Sequence, residues 1–179
     1  MDFEKSKTYA NLMAAFAGES QARNKYTYYG KLAKKAGYEQ ISRIFNETAD
    51  NERAHAEIWF KLLHGEKVPS TSESLKDAAK GEWYEFSEMY KQFESEAREE
   101  GYLEIAALFK MVGGIEKEHN ERFLKLAENV ENGEVFKRKE QKIWKCLNCG
   151  HIHVGESAPE VCPVCSHAQS YFEIKADNY

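Results

Sequence analysis

Residues 33–62, AKKAGYEQISRIFNETADNERAHAEIWFKL, fall without a gap on residues 97–126, AREEGYLEIAALFKMVGGIEKEHNERFLKL, at an offset of 64 positions. Gly37 matches Gly101, Tyr38 matches Tyr102, Ile41 matches Ile105 and Phe45 matches Phe109; Glu52 and His55 match Glu116 and His119. In both copies apolar residues recur at steps of three and four, the period of an amphipathic helix. One stripe holds Ile41, Phe45, Thr48, Glu52, His55, Trp59 and Leu62, and its counterpart holds Ile105, Phe109, Val112, Glu116, His119, Phe123 and Leu126. One Glu-x-x-His in so glutamate-rich a chain is a chance event. Two at equivalent places in a duplicated helical hairpin are one feature present twice.

Working outward, the first 130 or so residues are rich in Ala, Glu and Lys and contain one proline, Pro69. Their periodicity predicts four helices, roughly 4–35, 39–64, 75–99 and 103–130, with tight turns at Gly37 and Gly101 and a longer polar connection, GEKVPSTSES (65–74). From Ile143 the pattern breaks into short runs with Gly150, Gly155, Pro159, Pro163 and all four cysteines. The expected architecture is mainly α: a four-helix bundle domain over 1–136, then a small loop and β metal domain over 141–179. A formal net charge of −5 leaves no electrostatic footprint for nucleic acid or an anionic membrane. No apolar run is long enough to span a bilayer, and the start, MDFEKSKTYANLM, carries no export signal. A cytoplasmic location is expected.

The stripes carry more than the two pairs. Glu19 lies among Leu12, Phe16, Tyr26 and Tyr29, while Glu82 and Glu85 share a side with Leu75, Ala78, Met89 and Phe93. GES (18–20) and GEW (81–83) are again near-equivalent. Five carboxylates and two imidazoles are therefore expected at mid-height in one core, with no lysine on the stripes. Buried carboxylates without countercharge protonate or destabilise the fold by several kcal/mol, and a pair of metal ions is the simplest remedy. Ferritin-like di-metal bundles use one Glu from each of two helices and Glu-x-x-His from each of the other two. Glu19, Glu85, Glu52 with His55, and Glu116 with His119 supply that set, with Glu82 in addition, and oxygen-rich ligation suits iron or manganese. His55 and His119 are symmetric ligands, or the surplus carboxylate lets one metal exchange Glu85 for His55; spacing leaves both open. Tyr26 and Tyr90 are within helical reach to hydrogen-bond a ligand or deliver a proton, or they pack the core.

CLNC (146–149) and CPVC (162–165) give Cys-x2-Cys-x12-Cys-x2-Cys, the spacing of a four-thiolate cage at Cys146, Cys149, Cys162 and Cys165. Zinc and one-electron iron both use such cages, and a redox bundle on the same chain favours iron. Trp144, Tyr171 and Phe172 are expected to form a small aromatic core, with His151, His153 and His167 at the surface.

AFAGESQARNKY (15–26), AGYEQISRIFNETADNERAHA (36–56), GEWYEFSEMY (81–90), AREEGY (97–102) and the KCLNCG and APEVCPVC segments together resemble the rubrerythrin family, from about Asn11 to Phe172. The resemblance implies a ferritin-like bundle with two non-haem irons and a rubredoxin-like domain with one, acting as a hydrogen peroxide reductase in oxidative stress protection. It implies Glu19, Glu52, Glu82, Glu85, Glu116 and His119 as di-iron ligands, with His55 replacing Glu85 on one iron after reduction. The one departure is a short connection between the second and third helices.

Glu19, Glu52, Glu85, Glu116 and Tyr26 are then the expected catalytic groups. Electrons are expected from NAD(P)H through a separate reductase of rubredoxin or ferredoxin type, since no Gly-rich dinucleotide motif is present. Two other readings stand beside this one: a ferritin-like ferroxidase or iron-handling protein, and a zinc-ribbon binding module on a helical scaffold. A ferritin-like crossover from the second helix to the third must climb roughly 24 Å and step about 10–14 Å sideways, against a reach of about 35 Å for ten extended residues. So taut a hinge predicts a homodimer or larger, with exchange of the first hairpin between subunits and electron passage between subunits as open forms of that assembly.

Overall fold

Ser6 opens the first helix by accepting a hydrogen bond from the Tyr9 N–H (3.0 Å), and α1 runs from Lys7 to Lys35 in the computed structural model, which describes residues 2–65, 67 and 69–178. A single 3-10 turn, Phe3–Lys5, precedes it where the periodicity predicted helix from residue 4. Gly37 sits at φ 85°, and the Tyr38 N–H returns to the Ala33 carbonyl (2.9 Å), closing α1 with a left-handed cap. α2, Glu39–Leu63, packs back against α1. Gly101, also at φ 85°, repeats the device before α5, Leu103–Glu131, with the Tyr102 N–H bonded to Ala97 (2.8 Å). The duplication in sequence is thus a duplication of hairpins.

The third long helix differs from expectation in two ways. It starts at Thr71 rather than residue 75, because Ser70 and Glu73 form a capping box: the Ser70 hydroxyl accepts from the Glu73 N–H (3.3 Å), and the Glu73 carboxylate accepts from the Ser70 N–H (2.7 Å). The helix is also not uniform. Between α3, Thr71–Tyr84, and α4, Tyr90–Glu99, lies a π turn, Glu85–Met89, in which the Tyr90 N–H reaches the carbonyl of Glu85.

The chain divides into two compact units, Met1–Pro69 and Ser70–Tyr179. Ser42, Ala49 and Ala56, seven apart in α2, are buried and let α1 and α2 approach, and in α5 Ala106, Asn120 and Ala127 are buried. A Cβ on Gly113, the residue equivalent to Ala49, would lie 3.2 Å from the Tyr90 Cβ. Equivalent ring pairs line both hairpins. Tyr26 and Tyr29 meet Phe45 at 6.2 and 5.7 Å, and Tyr90 and Phe93 meet Phe109 at 6.0 and 5.6 Å.

The cysteine segment is a three-stranded antiparallel sheet of order β2-β1-β3, with β1 Lys137–Cys146, β2 Ile152–Ser157 and β3 Phe172–Ile174. Trp144, Cys146, Ala158, Cys162 and Phe172 form its buried core, and the Trp144 Nε1 donates to the Gly155 carbonyl (3.0 Å). Tyr171 does not join them. It lies outside at 44% exposure, on the 3-10 turn before β3, where its ring meets His167 edge-on at 4.4 Å.

Candidate metal centres

Each hairpin by itself brings two carboxylates and one imidazole together. In the first, His55 Nδ1 lies 2.9 Å from Glu52 and 3.8 Å from Glu19. In the second, His119 Nδ1 lies 2.7 Å from Glu116 and 3.7 Å from Glu82. The equality of the two sets follows from the duplicated sequence, since one turn of helix places the histidine over the glutamate and the neighbouring helix adds the second carboxylate. Ligand atoms in each triad lie within 4.8 Å of one another. Among the described residues no lysine or arginine pairs with these four glutamates; the ion pairs of both sets are with histidine. Acidic, oxygen-rich and short of countercharge, the donor set fits hard cations with one imidazole each.

Glu85 is outside the close triad, but its charge is felt there. The Glu82 carboxyl is raised above the ordinary carboxylate range, first by burial, then by its hydrogen bond and like charge with Glu116, and further by Glu85, while His119 opposes the rise. The Tyr90 phenol is likewise raised, by burial first and then by Glu85, Glu116 and Glu82. Tyr90 therefore stays a neutral phenol under the influence of three carboxylates. Tyr26 packs on Phe45.

The π turn absorbs a one-residue difference between the two hairpins. Glu19 corresponds to Glu82 at an offset of 63, but Tyr26 corresponds to Tyr90 at 64. The one residue gained between them is accommodated by the wider turn, which keeps Tyr90 and Phe93 on Phe109 while Glu82 stays beside His119. The residue of α1 equivalent to Glu85 is Ala22.

Two knuckles hold the cysteines. The Gly150 N–H returns to the Cys146 carbonyl and the Ser166 N–H to that of Cys162, both at 2.9 Å, with Gly150 at φ 77° and Ser166 at φ 58°. Cys146 and Cys165 sulfurs are 3.7 Å apart, and those of Cys149 and Cys162 are 3.6 Å apart. A tetrahedral ion with metal–sulfur bonds of about 2.3 Å requires edges of about 3.8 Å, so the cage is already at ligating size. The thiols are unequal. The backbone N–H of His167, with help from Asn148 and the neighbouring thiols, lowers Cys165 to about 6. For Cys149 the His151 N–H also acts downward, but burial and the hydrogen bonds of the other three cysteines prevail and push it up to about 12. Four thiols this close cannot all ionise without a cation among them.

Residues 10–127 match the family model for rubrerythrin, and 144–173 match that for the rubrerythrin rubredoxin-like domain. The chain belongs to the rubrerythrin family. Rubrerythrin-1 of Clostridium acetobutylicum is 48% identical over 189 residues, covering 97% of each chain, and the rubrerythrin of Nitratidesulfovibrio vulgaris is 46% identical over 185 residues with the same coverage. A solved nigerythrin in a mixed-valence state aligns at 34% identity over 95% of this chain and 87% of its own, with a TM-score of 0.36. As a rubrerythrin, the chain has a ferritin-like helical region with a di-iron site of Glu and His ligands, followed by a rubredoxin-like domain with an iron site at Cys146, Cys149, Cys162 and Cys165. No helix among the described residues is long and apolar enough to cross a membrane.

Proposed function

We propose that this rubrerythrin is a hydrogen peroxide reductase whose di-iron centre is refilled through its own rubredoxin-like domain. The presence on one chain of two carboxylate–histidine triads and a four-thiolate cage carries the proposal, because peroxide reduction needs two electrons and a reductase that delivers them singly needs an inlet. When bound, two ferrous ions supply the pair of electrons that, with two protons, turns one peroxide into two waters, and the cysteine-held iron passes replacements one at a time. Glu19, Glu52, Glu82, Glu85, Glu116, His55 and His119 would hold the pair, and Cys146, Cys149, Cys162 and Cys165 the single iron.

The protein's own groups handle the protons. The Tyr90 phenol, held above its ordinary value by burial and by Glu85, Glu116 and Glu82, keeps its proton close to the ligand carboxylates and is assigned the role of proton donor. Tyr26 stands at the equivalent place in the first hairpin and is assigned the matching role. The functional division is then 1–136 for the di-iron domain and 141–179 for the inlet, in a cytoplasmic homodimer or larger assembly fed from NAD(P)H through a separate rubredoxin- or ferredoxin-type reductase. Metal analysis with visible spectra tests the reading: about three irons per chain, and a spectrum of oxidised di-iron that returns after one equivalent of peroxide is added to reduced protein. Zinc at the cysteines, or a reduced centre inert to peroxide, would remove it.

A further inference from the structure

The duplicated hairpins differ on one flank. Beside the ligand stripe of α5 runs a second stripe, Lys110, Gly113, Gly114 and Lys117, whose counterpart on α2 is Asn46, Ala49, Asp50 and Arg53. On the facing helix α4 has Lys91 and Glu94 where α1 has Thr27 and Gly30. In the first hairpin these positions close the groove and neutralise their own charge. The Asn46 side chain lies over Gly30, where a Cβ would be 3.0 Å from its Oδ1, and the Arg53 Nε is 3.9 Å from Asp50. In the second hairpin both devices are gone. A Cβ on Gly114 would meet nothing within 4 Å, and a cleft of about 240 Å³ lies between α4 and α5.

The lining of the cleft combines rings with positive charge. Phe86, Tyr90 and Phe109 contribute the rings, those of Tyr90 and Phe109 being 6.0 Å apart, and Lys91, Lys110 and Lys117 contribute the charge. Little within the chain offsets them. Glu94, the one carboxylate in the lining, is held by Arg98 at 2.8 Å, and Lys117 has Glu121 only at 3.7 Å. Among the described residues neither Lys91 nor Lys110 has a carboxylate partner. Lys110 and Lys117 are two turns apart, about 10 Å along α5, so their charges act within about one screening length of each other and attract an anion. So short a cleft suits a small ligand rather than a peptide, which would need a longer track. Lysine binds phosphate as a point charge, and a phosphate monoester carries about two negative charges at pH 7. We infer that this cleft binds a small phosphate monoester with a flat apolar body, its phosphoryl group held by Lys91, Lys110 and Lys117 and its body lying on Phe86, Tyr90 and Phe109. Every residue of the site belongs to the second hairpin, and none of these contacts requires a bound iron.

Titration calorimetry of the full-length, iron-loaded protein with phenyl phosphate tests the inference, with inorganic phosphate for comparison. Wild type should bind one phenyl phosphate per chain, and inorganic phosphate several-fold more weakly because it leaves the rings uncovered. Lys91→Ala with Lys110→Ala removes two charged contacts and should weaken phenyl phosphate by about tenfold or more. Lys7→Ala with Lys31→Ala, the same change of net charge on exposed lysines of α1, should leave the affinity as it is. Gly114→Leu keeps all three lysines and fills the cleft; its side chain enters open space on a helix that favours leucine over glycine, so the fold is retained and binding should be lost. No binding to wild type, equal affinity for inorganic phosphate, or binding that neither Gly114→Leu nor the Lys91, Lys110 variant changes would overturn the inference. A control variant weakened as much as the Lys91, Lys110 variant would overturn it too, by making the effect one of net charge. So would a change in the visible spectrum on binding with unaltered affinity in both cleft variants, which places the anion on iron.

Discussion

Deleting Ser87 removes one residue from the π turn and should restore an uninterrupted α-helix, at the expense of the packing on one side of it. One residue of α-helix is a rotation of about 100° and a rise of 1.5 Å, so a side chain whose centre lies about 6 Å from the axis swings by about 9 Å. If the N-terminal half keeps Glu82 beside His119 and Asn120 bonded to the Ala79 carbonyl (2.6 Å), Tyr90 and Phe93 leave Phe109. If the C-terminal half keeps those rings, Glu82 and Asn120 lose their partners. In the first case two partly buried aromatic side chains, each contributing about 1–1.5 kcal/mol, and their ring contacts are given up, for a net loss of about 3 kcal/mol. That corresponds to a fall in Tm of about 6–12 °C for a protein of this size. Thermal unfolding followed by circular dichroism, with metal analysis of the same samples, should show this fall in the first case and loss of helical iron in the second, with unchanged iron at the cysteines in both. A Ser87 deletion that kept both wild-type Tm and full helical iron would refute the claim that the wide turn sets the register of the site.

The remaining predictions concern the cage, the caps and the division of labour. Ser166 is the only described non-glycine residue at positive φ, so Ser166→Gly should stabilise the rubredoxin-like domain by up to about 1 kcal/mol, read as a higher guanidinium midpoint. Glu73 and Glu131 are held below the ordinary carboxylate range, the first by Ser70 and the second by Lys76 and Ser72. Their contribution to stability is therefore fully present above the ordinary glutamate pKa and lost as pH falls through the lowered folded values; the Tm gap between wild type and a Glu73→Gln, Glu131→Gln variant should close below about pH 4. Glu52→Ala should abolish peroxide turnover and leave the visible spectrum of the cysteine iron intact, which full activity in that variant would contradict. Cys149→Ser should stop steady-state turnover with a reductase yet permit one oxidation of a chemically reduced centre; unaffected turnover would make the cysteine domain structural.

The duplication was the most legible part of the chain, because a 64-residue offset with matching Gly, aromatic and Glu-x-x-His positions leaves little else for residues 33–62 and 97–126 to be than equivalent halves of two hairpins. The cage was legible for a related reason: two Cys-x-x-Cys knuckles carry their geometry in their spacing. What periodicity missed were features in which local hydrogen bonding overrides the apolar pattern. Thr71–Ser74 has no apolar face, so only the capping signature Ser70-x-x-Glu73 could have moved the helix start back from residue 75. Tyr171 is aromatic but falls on a 3-10 turn, where alternation gives no side to point to. The π turn was written in the sequence as a change of offset, 63 at Glu19/Glu82 and 64 at Tyr26/Tyr90, which an ungapped comparison of whole helices averages away.

The two hairpins also differ in chemistry. Two perfect copies of a hairpin would give two equal metal positions, each with its own pair of carboxylates and its own histidine, and nothing to tell one from the other. The equality is broken by a substitution: one turn beyond Glu82 the third helix has Glu85 where the first has Ala22 beyond Glu19. Under the proposed di-iron function, seven donors would serve two positions and leave one of them with a choice between Glu85 and His55. A carboxylate favours the more highly charged ferric ion and a neutral imidazole suits the ferrous one, so the choice follows the oxidation state. His55→Ala should then leave the oxidised centre fully loaded and weaken the reduced one, with ferrous iron lost to a chelator faster than from wild type. Equal loss from both oxidation states would mean that His55 is an ordinary ligand, and that the difference between Glu85 and Ala22 plays no part in an exchange of ligands.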